Sequence, residues 1–338
     1  MHICQVVASW GQGGLEKHVF ELSNELSKKH QVSVIAHPLM RENFAPDVNF
    51  VALNFSKSRW SVRLHWQLQQ LLSQLHPDII HVQANKAALL VKRIRPLLKK
   101  SSARFVATLH NQKGDTSMFE GYDRVIVVSP RLAPLIKTAP TTAIYNGVRL
   151  PVLLGHNRQQ LANEFGFDVN KPIFIAVGRL VFAKGFDILI PAAAKAKVQI
   201  LIVGDGELKD TFKTQIADAK ATVVLAGFRA NVPELIAATD GLIISSRFEG
   251  GPYTLPEALL THTPILSTDV GMVQDFIPTE LIIPVEDIDA LADKLSWVAT
   301  HHTEWVQQMQ PSFDKAQKLL TLESMVHNTL SVYSTEAK

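Results

Sequence analysis

Short apolar runs alternate with amphipathic stretches along the whole chain, and this alternation limits the fold more than any other feature. ICQVVA, QVSVIA, DIIHVQ, RFVATLH and DRVIVVS lie in the first half; IFIAVG, QILIVG, TVVLAG, GLIISS and PILST follow from about Pro172 onward. Runs this short and this apolar read as strands buried on both faces, the pattern of a parallel sheet. The stretches between them have helical period: in LEKHVFELSNELSKK, Leu15, Val19, Leu22 and Leu26 recur on one face. Strand and crossover helix, repeated, build a doubly wound α/β sheet, and the restart near Pro172 predicts a second one. The segment from Asn146 to Lys171, with Gly147, Pro151, Gly155 and Asn157, reads as the linker. The expected division is therefore 1–150, 151–310 and a helical tail at 311–338, after Pro311.

Composition agrees with that scale. A chain of 338 residues, 46% hydrophobic, can bury two cores and is neither disordered nor a repeat fibre. No apolar stretch approaches the roughly 20 residues that span a bilayer, and MHICQVVASW lacks a basic region and cleavage site, so the expected location is the cytoplasm. The single Cys4, inside the first strand, leaves no disulfide framework and no cysteine zinc site.

The chemistry-bearing residues follow the strands. Arg179 and Lys184 come directly after IFIAVG, one a planar fork and the other a point charge, a donor pair suited to a diphosphate. Gly204-Asp205-Gly206 follows ILIV, and Gly227-Phe228 closes VVLAG. After GLIISS comes EGGPYTLPEALL, 249–260, with Glu249 in a loop, Pro252 suited to a first helical position, and Glu257 about a turn and a half beyond. Ligands of open α/β sheets bind at the carboxyl ends of strands, so these positions form one candidate site. The bland alternative is a solvated loop carboxylate and a helix-surface glutamate.

GGLEKH, GRLVFAKG, GDGEL and the E-x7-E segment EGGPYTLPEAL resemble, in that order, the motifs of the retaining GT-B glycosyltransferases of family 4. The resemblance implies two doubly wound Rossmann-like domains facing a central cleft, with the helical tail crossing back to pack on the first. The second would hold a nucleotide-sugar donor, most plausibly UDP-linked, and the first a glycan or glycolipid acceptor; no metal and no other cofactor is implied. The resemblance also implies roles. Glu249 would orient sugar hydroxyls and Glu257 would bind the ribose hydroxyls, while Arg179, Lys184 and the amides near Gly250 and Gly251 would meet the charge that develops on the departing phosphate. Tyr253 and Thr254 adjoin the donor, as does Gly204. The base would lie beside Phe228 and Arg229, although Phe228 is equally suited to a core. Retention is implied by the resemblance alone, as a same-face transfer without a covalent nucleophile. Gly251 stands where the family more usually has an aromatic or leucine, which leaves the donor sugar open. Met272 and Asp275 replace a glycine and a glutamate in DVGMVQDFI.

In the first half, Gly13 and Gly14 open a helix without the spacing of a dinucleotide fingerprint, and by resemblance they face the donor phosphates or the acceptor; a plain tight turn is the alternative. For Glu16 and Lys17 at the helix start, capping and surface charge are the bland reading, which is taken for Lys17 and left open for Glu16. His110 ends its strand where the family carries a histidine toward the donor sugar. His81 either lines the site or is packed, and Asn146 either touches the donor or shapes the hinge. Residues 1–150 hold 19 Lys and Arg against 9 Asp and Glu, leaving 15 against 22 for the rest. Arg59, Arg63, Lys92, Arg93, Arg95, Lys99 and Lys100, mixed with Trp60, Trp66, Leu97 and Leu98, predict a peripheral contact with an anionic membrane or a phosphorylated glycan, rather than nucleic acid. The expected function is sugar transfer in lipopolysaccharide or envelope polysaccharide assembly. A nucleotide-sugar epimerase of the same architecture, or a catalytically silent assembly subunit, are the competing readings.

Overall fold

A computed structural model describes residues 1–11, 13–98, 102–112, 114–149 and 157–334. The chain divides into two units, Met1–Gly147 with Leu322–Lys338, and Val148–Thr321.

In the first unit, strands β1 (His2–Val7), β2 (Gln31–Ala36), β3 (Asn49–Ala52), β4 (Ile79–Gln83), β5 (Arg104–Leu109), β6 (Arg124–Val127) and β7 (Thr141–Ala143) form one parallel sheet in the order β3-β2-β1-β4-β5-β6-β7. Helices α1 (Gly14–Leu26), α2 (Val62–Leu75) and α3 (Ala84–Ile94) are crossovers. The order reverses between β1 and β4, where such sheets bind ligands. Side chains alternate across the sheet as a period of two demands. Cys4, Val6, Ile80 and Val82 meet Leu64, Leu68, Leu90 and Val91 of α2 and α3 on one side. Ile3, Val7, Ile79 and Val106 meet Val19 and Leu22 of α1 on the other, and Met325 and Tyr333 join them there. Cys4 is wholly buried, and burial pushes its thiol pKa up to about 12, as expected of a core cysteine.

The second unit holds α4 (Arg158–Phe165), β8 (Ile173–Val177), α5 (Phe186–Ala196), β9 (Gln199–Val203), α6 (Lys209–Ala219), β10 (Val223–Gly227), α7 (Val232–Ala237), β11 (Gly241–Ile244), α8 (Thr254–Leu260), β12 (Ile265–Thr268), β13 (Ile282–Ile283), α9 (Ile288–Thr300) and α10 (His302–Leu319). Its sheet, also parallel, runs β10-β9-β8-β11-β12-β13, so β8 and β11 flank the reversal. The final helix, α11 (Leu322–Ser334), belongs to the first unit.

Three differences from the sequence reading stand out. Edge strands β3, β7 and β13 are too short to show a period. The expected linker contains α4, which starts with a capping box: Asn157 Oδ1 accepts from Gln160 N at 3.0 Å, and Gln160 Oε1 accepts from Asn157 N at 3.1 Å. Pro151 and Gly155 of that linker lie outside the described residues. The tail does not begin at Pro311, which sits inside α10, whose Trp305, Met309 and Phe313 are buried within the second unit. The chain changes units only after Thr321, beside the bridge it makes with Val148.

Candidate functional site

In the second unit, the loops after β8 and β11 leave neighbouring strands at the reversal, and they carry the candidate charges. Lys184 Nζ and Glu249 Oε1 form a close ion pair, both side chains mostly shielded from solvent. Ser246 Oγ donates to the same carboxylate oxygen at 3.0 Å, and Ser245 Oγ donates to the Lys184 carbonyl at 2.9 Å. Gly185 makes this approach possible. Its φ is +64°, and a Cβ there would stand 2.0 Å from the Ser245 carbonyl oxygen. Arg179 is exposed and makes no ion pair among the described residues. Gly204 has φ +137°, and a Cβ would meet the Gly178 carbonyl oxygen at 2.0 Å. It therefore packs the β9 loop onto the loop of Arg179, a structural need that holds whatever it binds.

Arg247, between the serines and Glu249, was missed in the sequence. Its guanidinium is clamped bidentately by Asp187 at 2.7 and 2.7 Å, pairs with Glu286 at 2.5 Å, and donates to the Phe182 carbonyl at 2.7 Å. The Asp187 carboxylate is the main cause that raises its pKa above the ordinary arginine value. Because Phe182 and Asp187 bracket Lys184, Arg247 ties the Lys184 loop to the Glu249 loop. The Arg247 and Asp187 residue types were visible, but they stand 60 positions apart and no local pattern pairs them.

The EGGPYTLPEALL segment departs in detail from expectation. A turn opens with Leu255 N donating to the Pro252 carbonyl at 3.1 Å, and α8 starts only at Thr254, so Pro252 lies ahead of the helix. Glu257 consequently falls in the first turn, and it is buried, not an exposed helix-surface residue. Gly250 and Tyr253 are buried, while Gly251 and Thr254 are half-buried beside them. Phe228 is 60% exposed and so is no core residue. Arg229 is turned to α4, paired with Glu164 at 3.0 Å and lying 5.2 Å from the Phe165 ring centroid.

The first unit concentrates neutral polar groups at its own reversal. His110 follows β5, and its Nε2 lies 2.8 Å from Gln83 Oε1 at the end of β4. His18, on α1, sits edge-on to His110 with centroids 4.8 Å apart. His18 Nδ1 donates to Asn146 Oδ1 at 3.1 Å, which leaves Nε2 buried without a partner among the described residues. Burial lowers the pKa of His18 to about 4 and of His81 to about 3, and carries His110 well below the usual histidine value. His81 is wholly buried, so the packed alternative holds for it. Gly13 caps α1 in extended backbone, with Gly14 the first helical residue. Glu16 accepts from Gly11 N and Gly13 N at 3.1 Å each, which makes it a cap of the helix, and Lys17 lies 3.9 Å from half-buried Glu21.

The basic cluster is only partly a free surface. Lys92 pairs with Glu120 at 2.9 Å and Arg95 with Asp123 at 2.9 Å, and both line an apolar cavity of about 500 Å³ with Phe105 and Tyr122. Leu98 is buried. Arg59 and Arg63 are exposed, and Arg93 stacks 3.6 Å over the exposed Trp60 ring, beside exposed Trp66, Val62 and Leu97. Lys99 and Lys100 lie outside the described residues. No described helix is long and apolar enough to cross a membrane, and the described residues contain no cluster of three His, Cys, Asp or Glu able to hold a metal.

A charged site at one strand reversal and a histidine site at another, on two parallel sheets, define the two-domain GT-B architecture. Residues 157–310 match the family of glycosyl transferases group 1, and residues 12–150 match glycosyltransferase family 4. The chain belongs to the group 1 glycosyltransferases. It is 27% identical over 215 residues to the UDP-Gal:alpha-D-GlcNAc-diphosphoundecaprenol alpha-1,3-galactosyltransferase of Escherichia coli, spanning 61% of this chain and 54% of that one. It is 25% identical over 238 residues to the lipopolysaccharide core biosynthesis mannosyltransferase LpsB of Rhizobium meliloti, spanning 63% and 66%. Among solved structures, Anabaena HepE in complex with UDP-glucose superposes with a TM-score of 0.84 at 19% identity over 99% of each chain, a likeness of fold.

Proposed function

We propose that this chain transfers a sugar, with retention, from a UDP-linked donor held by the second unit to a glycan or lipid-linked acceptor of the cell envelope. The observation that carries the reading is the Lys184–Glu249 pair with Arg179 at the carboxyl ends of adjacent strands β8 and β11. Breaking the anomeric bond leaves negative charge on the diphosphate, and Arg179 and Lys184 are the cations that meet it. Lys184 would leave Glu249 for the phosphate, freeing the carboxylate to accept from sugar hydroxyls. With that charge neutralised by side chains, no metal ion is required. Glu257, a buried carboxylate in the first turn of α8, is assigned to the ribose hydroxyls, and His110 to a hydroxyl of the donor sugar or acceptor. The exposed Arg59, Arg63, Trp60 and Trp66, with the half-buried Arg93 stacked on Trp60, are assigned to an anionic membrane surface on the cytoplasmic side. UDP in the names of the galactosyltransferase and of the HepE complex, and lipopolysaccharide in that of LpsB, support the donor and acceptor classes.

The deciding experiment is a panel of nucleotide-sugars in a released-nucleotide assay, with and without extracted envelope lipid. Acceptor-dependent release of UDP that survives EDTA is expected. Interconversion of the donor without acceptor would make the protein an epimerase, and UDP binding without turnover would make it a silent subunit. Loss of activity with EDTA would overturn the metal-free mechanism.

A further inference from the structure

Behind His110 runs a continuous set of buried side chains that ends on the last helix of the chain. Gln83 Nε2 donates to Gln5 Oε1 at 2.8 Å, and Gln5 Nε2 donates to the Tyr333 hydroxyl at 3.1 Å. Tyr333, having accepted, turns its own proton to His81 Nδ1 at 2.6 Å. His81 therefore carries its hydrogen on Nε2, which donates to Thr108 Oγ1 at 2.7 Å. Strand register explains the gathering: Gln5 pairs with His81 across β1 and β4, Gln83 pairs with Thr108 across β4 and β5, and all four point to the face that α11 covers. Gln5, His81, Gln83 and Thr108 are each at most 1% exposed, and Tyr333 is 4% exposed, so water does not scramble the donors and acceptors. Gln5 Nε2 also lies 3.3 Å from His81 Nδ1, a second donor that keeps this nitrogen an acceptor, so the orientation of one amide constrains its neighbours.

We propose that Gln83 is a positioning residue that holds His110 as the Nε2–H tautomer, so that His110 presents a bare Nδ1 able to accept a hydrogen bond from a hydroxyl, and that Tyr333 sets this polarity through Gln5. The geometry is direct: Gln83 Oε1, whose amide nitrogen is committed to Gln5, accepts from His110 Nε2, and His110 Nδ1 takes no partner among the described residues. The catalytic consequence rests on the reading of His110 as a site residue; the tautomer does not. It also gives α11 a task in the first unit that its packing alone does not reveal, since Tyr333 stands 328 positions from Gln5.

The test is a long-range proton–nitrogen correlation spectrum of the full chain with labelled histidine, recorded above pH 7, with assignment by substitution. His110 and His81 are both expected as Nε2–H. Gln83→Glu, recorded at a pH where the new carboxyl is seen to be ionised, can only accept, so Gln5 must turn its nitrogen toward it and its oxygen toward Tyr333. His110 then stays Nε2–H while His81 inverts to Nδ1–H. Gln83→Leu should let His110 populate both tautomers and lower kcat more than it raises KM. A wild-type His110 found as Nδ1–H overturns the proposal without any variant, and His81 unmoved in a folded Gln83→Glu protein overturns the relay. Turnover of His110→Gln at the wild-type rate would instead remove the histidine from the reaction, and with it the catalytic consequence, leaving the spectrum to judge the tautomer.

Discussion

The two units solve the same topological problem with opposite electrostatics. In the second, the strand reversal is lined by ions carried on loops: Lys184 against Glu249, Arg247 among Asp187 and Glu286, and Arg179 facing solvent. In the first, the reversal is lined by neutral groups fixed on strands: Gln5, His81, Gln83, Thr108 and the adjoining His110. Ions suit a reaction partner whose charge grows, because their field acts on it without reorganisation. Neutral buried donors and acceptors suit a partner that is itself neutral, such as a hydroxyl, where direction matters more than charge. The same sheet plan thus suits the proposed diphosphate subsite in one unit and the proposed hydroxyl subsite in the other.

The strongest way to break this comparison is to remove the cations. Lys184→Ala and Arg179→Ala are each expected to lower turnover by roughly 10²- to 10³-fold with the fold retained, as for other preorganised donors. Wild-type rates in both, with unchanged circular dichroism, would strip the second unit of its electrostatic role.

Acid separates the units next. His18 and His81 have folded pKa values of about 4 and about 3, below the unfolded value of 6.5, so the fold favours the neutral rings. Their contribution is whole above about pH 6.5 and is lost as pH falls toward 4 and then 3; for His18 this amounts to about 3 kcal/mol. The described histidines of the second unit, His262, His301 and His302, are exposed. Hydrogen exchange resolved along the chain should therefore show protection of β1, β4 and β5 falling between pH 6.5 and 4 while β8, β9 and β11 hold. Equal loss in both sheets would contradict the neutral-core account.

Glu257→Ala should weaken UDP by about 1.5 to 3 kcal/mol for each charge-assisted hydrogen bond lost, measured by calorimetry. An unchanged affinity in a folded variant would return Glu257 to a purely structural place in α8. The smallest effect belongs to the exposed surface of the first unit. Arg59→Glu with Arg93→Glu is expected to cost about 1 kcal/mol per base in binding to anionic liposomes, diminishing with salt, while UDP affinity is kept. Sedimentation of the wild type that ignores vesicle charge would remove the membrane assignment.

Much of the second site was legible because its residues are placed by local rules. Arg179 follows an apolar run directly, and Lys184 and Glu249 come within a few residues of one; a run of that length announces a strand whose end carries the loop. The boundary of α8 was not legible: Pro252 suits a helix start, but the turn at Pro252–Leu255 comes first and shifts Glu257 into a buried first turn. Of the first site His110, His81 and Asn146 were legible, but their partners were not. His18 and Tyr333 lie on helical faces that read as ordinary core positions, and Gln5, Gln83 and Thr108 look like interruptions of apolar strands. The basic cluster misled in part, since Lys92 and Arg95 find Glu120 and Asp123 only once α3 is folded against the β5–β6 connection.

The sequence by itself determined the alternation of strand and helix, the two repeats of it, and which loops bear charge, because side-chain period and residue type act over a few positions. Tertiary structure alone decided which strands are neighbours, that α11 returns to the first sheet, and which ions and histidines are partnered. Those outcomes depend on contacts between residues as far apart as Gln5 and Tyr333, where the gain from burial and hydrogen bonding must outweigh the entropy of closing the chain, and no local pattern encodes that balance.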